Sequence, residues 1–120
     1  MDSVNVFEGR YEFDPEDPPG YRAGAIHLTR ALGAAGLAVK SFVLAPGETV
    51  CPYHYEYEEE WLLVLDGEVS VRTPAGEQSL VRGDIVRFAK GPEGAHKVAN
   101  HRDLDARILM FSSEIGRAHV

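Results

Sequence analysis

The sequence predicts an all-β fold of the antiparallel sandwich or barrel type. From Leu37 the side chains alternate with a period of two, placing Val39, Ser41 and Val43 on one side of a strand, and an Ala-Pro-Gly turn closes it at 45–47. Similar short segments follow at 61–65, 68–72, 78–81, 84–88, 96–100 and 106–111. Turns that contain glycine separate most of them. Short strands and turns in this succession are typical of sandwiches and barrels rather than of alternating strands and helices.

Length and charge restrict the classes of protein to which the chain can belong. Its 120 residues are enough for one domain whose core needs no disulfide. The formal net charge of -7 argues against nucleic acid or an anionic membrane as a partner, because both attract basic surfaces. No apolar stretch approaches the roughly 20 residues of a membrane helix. Small molecules or other proteins remain as partners.

The single cysteine and the N-terminus bear on location. Cys51 cannot form a disulfide within the chain, and no basic stretch leads into an apolar run as it would in a signal peptide. Both observations favour the reducing cytoplasm. We expect Cys51 to be a buried and unreactive thiol, which packs like a small hydrophobic side chain.

The first 36 residues differ in composition from the rest. Residues 14–20 contain three prolines, which lack a backbone donor and resist both helix and sheet. Residues 23–36 combine apolar side chains with Gly24, Gly33 and Gly36, each of which costs a helix about 1 kcal/mol relative to alanine. The sequence leaves the state of 23–36 open. We expect residues 1–36 to form an arm and an irregular segment packed on a barrel domain at 37–113.

The last seven residues, 114–120, resemble what a common short-read sequencing adapter encodes in one reading frame. We expect this segment to be an artefact of sequencing and the natural protein to be longer. The segment, with His119, is therefore excluded from the candidate site. An ordinary frayed C-terminus is the alternative.

Two histidines and two glutamates form the most informative pattern in the chain. His54 and Glu56 are two residues apart, so in a strand they face the same side. Glu60 shares their parity, although an intervening bend leaves its direction open, and His96 must come from a distant segment. Two imidazoles and two carboxylates suit a divalent cation, so the pattern predicts a metal site.

The same residues resemble the two sequence motifs of small microbial cupins. The first motif, Gly, five residues, His-x-His, three or four residues, Glu, six residues, Gly, corresponds to Gly47, His54-Tyr55-Glu56, Glu60 and Gly67. The second, Gly, five residues, Pro-x-Gly, two residues, His, three residues, Asn, corresponds to Gly83, Ala89-Lys90-Gly91, His96 and Asn100. The chain is therefore similar to RmlC-like single-domain cupins. The resemblance implies a double-stranded β-helix, or jelly-roll barrel, that pairs as a homodimer.

The chain departs from these motifs at four places. Three are changes of loop scale, namely one extra residue before His54, Ala89 in place of proline, and a loop before His96 that is two residues longer. The fourth is chemical, because Glu56 stands where the family has its second histidine. The resemblance thus assigns metal roles to His54, Glu60 and His96, with Glu56 as a substitute fourth ligand.

The predicted ligand set bears on the identity of the metal. Two neutral imidazoles and two carboxylates balance a divalent charge, so the ion would be a weaker Lewis acid than one held by three imidazoles. Oxygen-rich ligation favours Mn²⁺ or Fe²⁺, with Zn²⁺ and Ni²⁺ as alternatives.

Other residues near the motifs are expected to have structural roles. Glu58 and Glu59 are interpreted as solvated carboxylates, the usual state of an acidic run. His27 and His101 have no partner at ligand spacing and are interpreted as ordinary hydrogen-bonding groups. Asn100 is expected to support the turns that follow the strands.

Three functional hypotheses follow. The first is a metal-dependent enzyme for a small molecule, and the resemblance implies dioxygenase or isomerase chemistry without a residue that selects between them. The second is a non-enzymatic module that binds a small ligand or a metal, favoured by Glu56 because its charge weakens the electrophilic power of the ion. The third is a truncated fragment without activity.

Overall fold

The computed structural model of the chain describes residues 1–113, so the predicted adapter segment at 114–120 lies outside the described residues. Within residues 1–113 the strands are β1 (Gly24–His27), β2 (Ala38–Leu44), β3 (Glu60–Asp66), β4 (Glu68–Thr73), β5 (Gly76–Val81), β6 (Ile85–Phe88), β7 (Lys97–Ala99) and β8 (Ala106–Ser112). A helical turn, α1, spans Leu28–Ala31, and a short 3-10 helix spans Pro92–Gly94. In this part of the chain no helix is long and apolar enough to cross a membrane.

The strands form two antiparallel sheets. Sheet A has the strand order β1-β2-β8-β3-β6, and sheet B has the order β5-β4-β7. This arrangement confirms the predicted all-β jelly roll. The expectation of a closed barrel is wrong, because within residues 1–113 the two sheets do not close into one. The consecutive strands β5 and β6 are edge strands of different sheets, and the tight turn at Gly83, where φ is +92°, directs the chain from one sheet to the other.

The core lies between the two sheets. Buried and half-buried residues alternate along β8, with Ala106, Ile108 and Met110 facing inward. The other sides of this core are supplied by β3, β4 and β7, chiefly through Leu62, Val64, Val69, Val71 and Val98. Fully burying an aliphatic side chain of this size stabilises a fold by about 1.5 to 3 kcal/mol. The inward positions of these strands therefore hold the sheets face to face.

The segment whose state the sequence left open is part strand and part helical turn. Gly24–His27 pairs with β2, from Gly24 opposite Val43 to His27 opposite Lys40, and forms the edge of sheet A. The hydroxyl of Thr29 ties the following turn to the start of β2 by donating to the carbonyl of residue 37 and accepting from the amide of residue 39, both at 2.7 Å.

The N-terminal arm, residues 1–23, packs on sheet A. Its Tyr11 hydroxyl shares a hydrogen bond of 2.6 Å with the hydroxyl of Ser41 in β2. The rings of Phe7 and Tyr11 lie 5.9 and 5.8 Å from the guanidinium carbon of Arg107 in β8. Cation–π contacts of this kind contribute about 0.5 to 1 kcal/mol each at exposed sites. The arm is thus anchored to two neighbouring strands of the sheet.

Candidate metal centre

The two segments that carry the motif residues run side by side. Residues 47–54 pair with residues 96–100 through backbone hydrogen bonds that begin at Gly47 and end at His54. His54 and His96 face each other in an isolated antiparallel bridge and exchange two backbone hydrogen bonds of 3.1 and 2.8 Å. Their ring centroids are 5.0 Å apart. Histidines 42 positions apart in the sequence are therefore brought together by the main chain.

Two isolated bridges connect these segments, and between the bridges the first segment contains more residues than the second. Thr49 lies opposite Ala99 and His54 lies opposite His96, so five steps along one segment match three along the other. The surplus residues form a bend at 51–53. Such an insertion interrupts pairing and redirects the side chains that follow it. The regular strand expected to carry His54 and Glu56 is therefore absent from this part of the described structure.

The backbone also determines which nitrogen of each ring faces the cluster. Nδ1 of His54 lies 3.0 Å from the carbonyl oxygen of Pro52, and Nδ1 of His96 lies 2.7 Å from that of Gly94. A carbonyl oxygen only accepts, so Nδ1 is the donating nitrogen in both rings. Each Nε2 can then offer a lone pair. Proteins commonly orient metal-binding histidines through a hydrogen bond at the other ring nitrogen.

Glu60 completes a group of three candidate ligands. Its Oε1 lies 2.8 Å from Nε2 of His96. Ligand atoms of His54, Glu60 and His96 all lie within 4.8 Å of one another. Donor atoms bound at about 2.1 Å from one ion are spaced by roughly 3 to 4 Å, so small side-chain movements would bring this group around a cation. The structure thus brings together three of the four residues that the sequence predicted.

The contact between Glu60 and His96 indicates what suits the group. A neutral ring that donates through Nδ1 has only a lone pair at Nε2, and a carboxylate oxygen has only lone pairs. At 2.8 Å these atoms repel unless Nε2 carries a proton or a cation lies between them. A proton on Nε2 or a cation bound by both atoms satisfies this contact, and imidazole and carboxylate donors are of the kinds that bind a divalent cation.

Glu56 stands beside this group. Its Oε1 lies 3.1 Å from Nε2 of His54, the nitrogen that faces the cluster. Glu56 is nevertheless not among the three residues whose ligand atoms lie within 4.8 Å of one another. The side chains of His54 and Glu56 are 9% and 12% exposed, so both are sheltered from solvent. A role for Glu56 as the fourth ligand stays a prediction.

Two residues that the sequence analysis missed hold His96 in place. The ring of Phe88 stacks on the imidazole, with centroids 3.7 Å apart and planes 12° from parallel. Gly94 supplies the carbonyl oxygen that orients Nδ1, and a Cβ at this position would overlap the carbonyl of Ala89. Each histidine bonds to the carbonyl of the residue two positions before it. This spacing is visible in the sequence, but without the fold it does not predict the hydrogen bond.

A cavity of about 270 Å³ includes in its lining Phe88, the residue that stacks on His96. Its walls come from β4, β5 and β6 and include Val71, Thr73, Gln78, Leu80 and Phe88. Because Phe88 both lines the cavity and stacks on His96, the cavity is one aromatic ring away from the candidate ligands. Its volume is near the lower end of small-molecule sites, about 300 to 1,000 Å³. It can hold a small organic molecule.

Cys51 contacts the cluster from the side of His54. Its Sγ lies 3.2 Å from Nδ1 of that ring. Burial, reinforced by the negative charges of Glu60 and Glu56, raises the pKa of the Cys51 thiol to about 12. A thiol that stays neutral at ordinary pH is a poor nucleophile, in agreement with the unreactive role expected from the sequence.

The remaining candidates lie away from the three-residue cluster. Glu59 pairs with Arg87 at 3.2 Å, and both side chains are about half exposed. His101 lies 3.6 Å from a carboxylate on the surface, with 62% of its side chain exposed. Asn100 is fully buried and bonded to three backbone groups, as its expected structural role requires.

The chain matches a known protein family and is similar to several known proteins. The family model described as "Cupin domain" matches residues 40–112. A curated relative, the tetracenomycin polyketide synthase protein TcmJ of Streptomyces glaucescens, is 25% identical over 101 residues. The match covers 81% of this chain and 66% of that protein, so the chain spans slightly less than two thirds of its relative.

Solved structures share the fold. A sugar phosphate isomerase of the cupin superfamily from Silicibacter pomeroyi superposes with a TM-score of 0.81 at 22% identity, over 95% of this chain and 76% of that one. The polyketide cyclase RemF from Streptomyces resistomycificus superposes with a TM-score of 0.77 at 18% identity, over 99% of this chain and 84% of that one. At such identities the likeness establishes the fold alone.

Proposed function

The chain belongs to the cupin family, and on that premise we propose that it binds one divalent metal ion for chemistry on a small organic molecule. The proposed ligands are His54, Glu60 and His96, with Glu56 as the fourth. The observation that carries the proposal is the convergence of three ligand atoms within 4.8 Å, with both imidazoles oriented by backbone carbonyls.

The charges of the donor set bear on the strength and identity of the metal. Two neutral imidazoles and the Glu60 carboxylate leave one positive charge on a divalent ion, and Glu56 would cancel it. A bound divalent ion supplies Lewis-acid polarisation of a substrate oxygen. Mn²⁺ or Fe²⁺ is the expected ion, with Zn²⁺ and Ni²⁺ as alternatives. Glu56 therefore moderates the reactivity of the centre.

The cavity beside Phe88 is the proposed substrate site. Its aliphatic wall and the Phe88 ring offer contacts to an apolar part of a substrate, while Thr73 and Gln78 offer hydrogen bonds to a polar part. The relatives named above include a polyketide cyclase and a sugar phosphate isomerase. By analogy with them, we propose that this chain rearranges its substrate without net oxidation. Dioxygenase chemistry is the other class, and an oxygen electrode distinguishes the two because only a dioxygenase consumes O₂.

Metal analysis of the purified protein tests the ligand assignment. We expect about one transition metal ion per folded chain, and a loss of affinity of about 100-fold or more in Glu60→Ala and His96→Ala because each removes a direct ligand. Glu59→Ala is the matched control, since that neighbouring carboxylate pairs with Arg87 on the surface. Equal metal content in Glu60→Ala and Glu59→Ala would contradict the proposal.

The second candidate function, a non-enzymatic module, depends on whether Glu56 is a metal ligand. The 3.1 Å contact between Glu56 and Nε2 of His54 favours a non-enzymatic metal- or ligand-binding module, because a charge-neutral centre is a weak electrophile. Glu56→His should shift metal preference towards Zn²⁺ and Ni²⁺ if this side chain is a ligand. An unchanged order of metal affinities would place Glu56 outside the ligand shell.

The homodimer and the cytoplasmic location stay predictions. Trp61 and Phe111 stack on sheet A with centroids 6.2 Å apart, and Ile85 on the neighbouring strand β6 is 52% exposed. A second copy of the chain would remove this apolar surface from water. Sedimentation velocity of the purified protein measures whether the dimer forms.

A further inference from the structure

A second cavity, of about 340 Å³, lies between the N-terminal arm and the β1–α1 segment, outside the residues that match the family model. Its polar lining consists of Arg10, Glu12, His27 and Arg30. The apolar part of the wall is larger than the polar part, and it includes Val4 and Ile26. A volume of this size falls within the range of small-molecule sites, about 300 to 1,000 Å³.

Positive charge is concentrated at this cavity. Arg10 and Arg30 line it, and Lys40 lies opposite His27 across the β1–β2 pair, whereas Glu12 is the only carboxylate among the described lining residues. In residues 1–113 none of these three cationic side chains takes part in an ion pair. The chain as a whole carries a formal net charge of -7, so the excess of positive charge at this cavity is opposite in sign to the net charge of the protein.

The imidazole of His27 responds to this charge. Burial lowers its pKa, and the positive charges of Lys40 and Arg30 lower it further, while the carboxylate of Glu12 acts in the opposite direction. After burial, which is the largest cause, the two cationic side chains act on His27 in the direction expected of a site for anions.

From the cavity, its lining and its charges we propose that this site binds a small organic anion with a phosphate or carboxylate group. Arg10 and Arg30 approach from different elements, and a guanidinium matches either group with paired hydrogen bonds. Val4 and Ile26 contact the apolar body of the ligand. Binding relieves the repulsion between the cationic side chains and connects the arm to α1 through one ligand. This site shares no residue with the proposed metal centre.

Titration of the metal-free 120-residue chain with phenyl phosphate, benzoate and the neutral benzyl alcohol tests the site. The readout is the set of His27 side-chain NMR signals, assigned with His27→Gln. We expect saturable shifts with phenyl phosphate or benzoate and none with benzyl alcohol, and the stronger of the two anions identifies the preferred group. Absence of saturation with both anions, or equal shifts with the alcohol, overturns the proposal.

Variants locate the binding. Arg10→Ala and Arg30→Ala should each weaken it about fivefold or more, and Glu12→Gln should tighten it about twofold because a competing charge is removed. Arg82→Ala, at an exposed residue of the β5–β6 turn, is the matched control and should leave affinity unchanged. His96→Ala should also retain binding, which separates this site from the metal centre. Equal affinities in Arg30→Ala and Arg82→Ala would overturn the assignment.

Discussion

The cluster of His54, Glu60 and His96 and the cavity at Arg10 and Arg30 differ in how their polar side chains are held. The side chains of His54 and His96 are 9% and 2% exposed, and both rings are oriented by backbone carbonyls. The two arginines are exposed and make no ion pair within the described residues. The candidate metal ligands are thus held by the backbone, whereas no ion pair within the described residues holds the two arginines.

This difference predicts different strengths of binding. Charged groups in a sheltered site lose little conformational entropy on binding and interact with little screening by water. Exposed pairs typically contribute about 0.2 to 1 kcal/mol each. We therefore expect selective metal binding at the cluster and weaker, salt-sensitive anion binding at the cavity.

The largest effect is expected at Cys51, which reports the shelter of the cluster. Its pKa is raised from 9.0 to about 12, so the thiolate fraction at pH 8 falls by about 1,000-fold on folding. Alkylation by iodoacetamide at pH 8 should be slower in the folded, metal-free protein than in urea by about this factor. Because folding raises the pKa of the thiol, the neutral thiol favours the folded state. This contribution to the free energy of unfolding is lost as the pH rises above 9.

Mass spectrometry of timed aliquots measures both rates. The denatured chain is the control, because it holds the same thiol without burial or neighbouring carboxylates. Comparable rates in the two states would show that the cluster is open to solvent.

A smaller effect is expected at Asn100, whose side chain joins the end of β2 to the loop that precedes β8. Its amide donates to the carbonyls of Leu44 and Leu104 at 2.9 and 2.8 Å, and its Oδ1 accepts from the amide of Arg102 at 2.9 Å. Asn100→Ala leaves these groups without their partner and should lower the free energy of unfolding by about 3 kcal/mol. Urea denaturation measures the loss. The exposed neighbour His101→Ala should change stability by less than about 0.5 kcal/mol, and equal losses would contradict the assigned role.

The smallest effect is expected at the cationic cavity. Burial, Lys40 and Arg30 hold the pKa of His27 below 6.5, while Glu12 opposes them. His27 therefore binds a proton less readily in the folded state, and the stability linked to it is present above pH 6.5 and declines as the pH falls. An NMR titration should place its midpoint below 6.5, and Lys40→Gln should raise it. A midpoint at or above 6.5 without added anion would contradict a positive cavity.

The sequence was informative where a local pattern repeats. The period-two alternation located the strands from β2 to β8, and the structure extends most of them by one or two residues. The expected segment at 106–111, for example, is the strand Ala106–Ser112. A strand with one buried face imposes such a pattern because a shift of one residue would expose its apolar side chains.

The sequence failed where partners are distant. The residues of β1 include Gly24 and form a strand only because β2 offers a free edge, a fact that no local pattern contains. His54 and Glu56 do lie on the same side, as their parity predicted, with Oε1 of Glu56 3.1 Å from Nε2 of His54. No local pattern, however, shows which side chains converge, and Glu56 is not among the three residues whose ligand atoms lie within 4.8 Å of one another. The separation of the sheets at β5 and β6 likewise depends on how two twisted sheets pack.

By itself the sequence determined the all-β fold, the family motifs and the identity of the candidate ligands, because each is written in residue type and spacing. Only the tertiary structure decided that Nε2 of His96 faces Glu60, that Phe88 and Gly94 hold this ring, and that cationic side chains from the arm and α1 share a cavity. The physical reason is that ring orientation, stacking and local potential arise from atoms that are far apart in the chain and become neighbours only when the sheets pack.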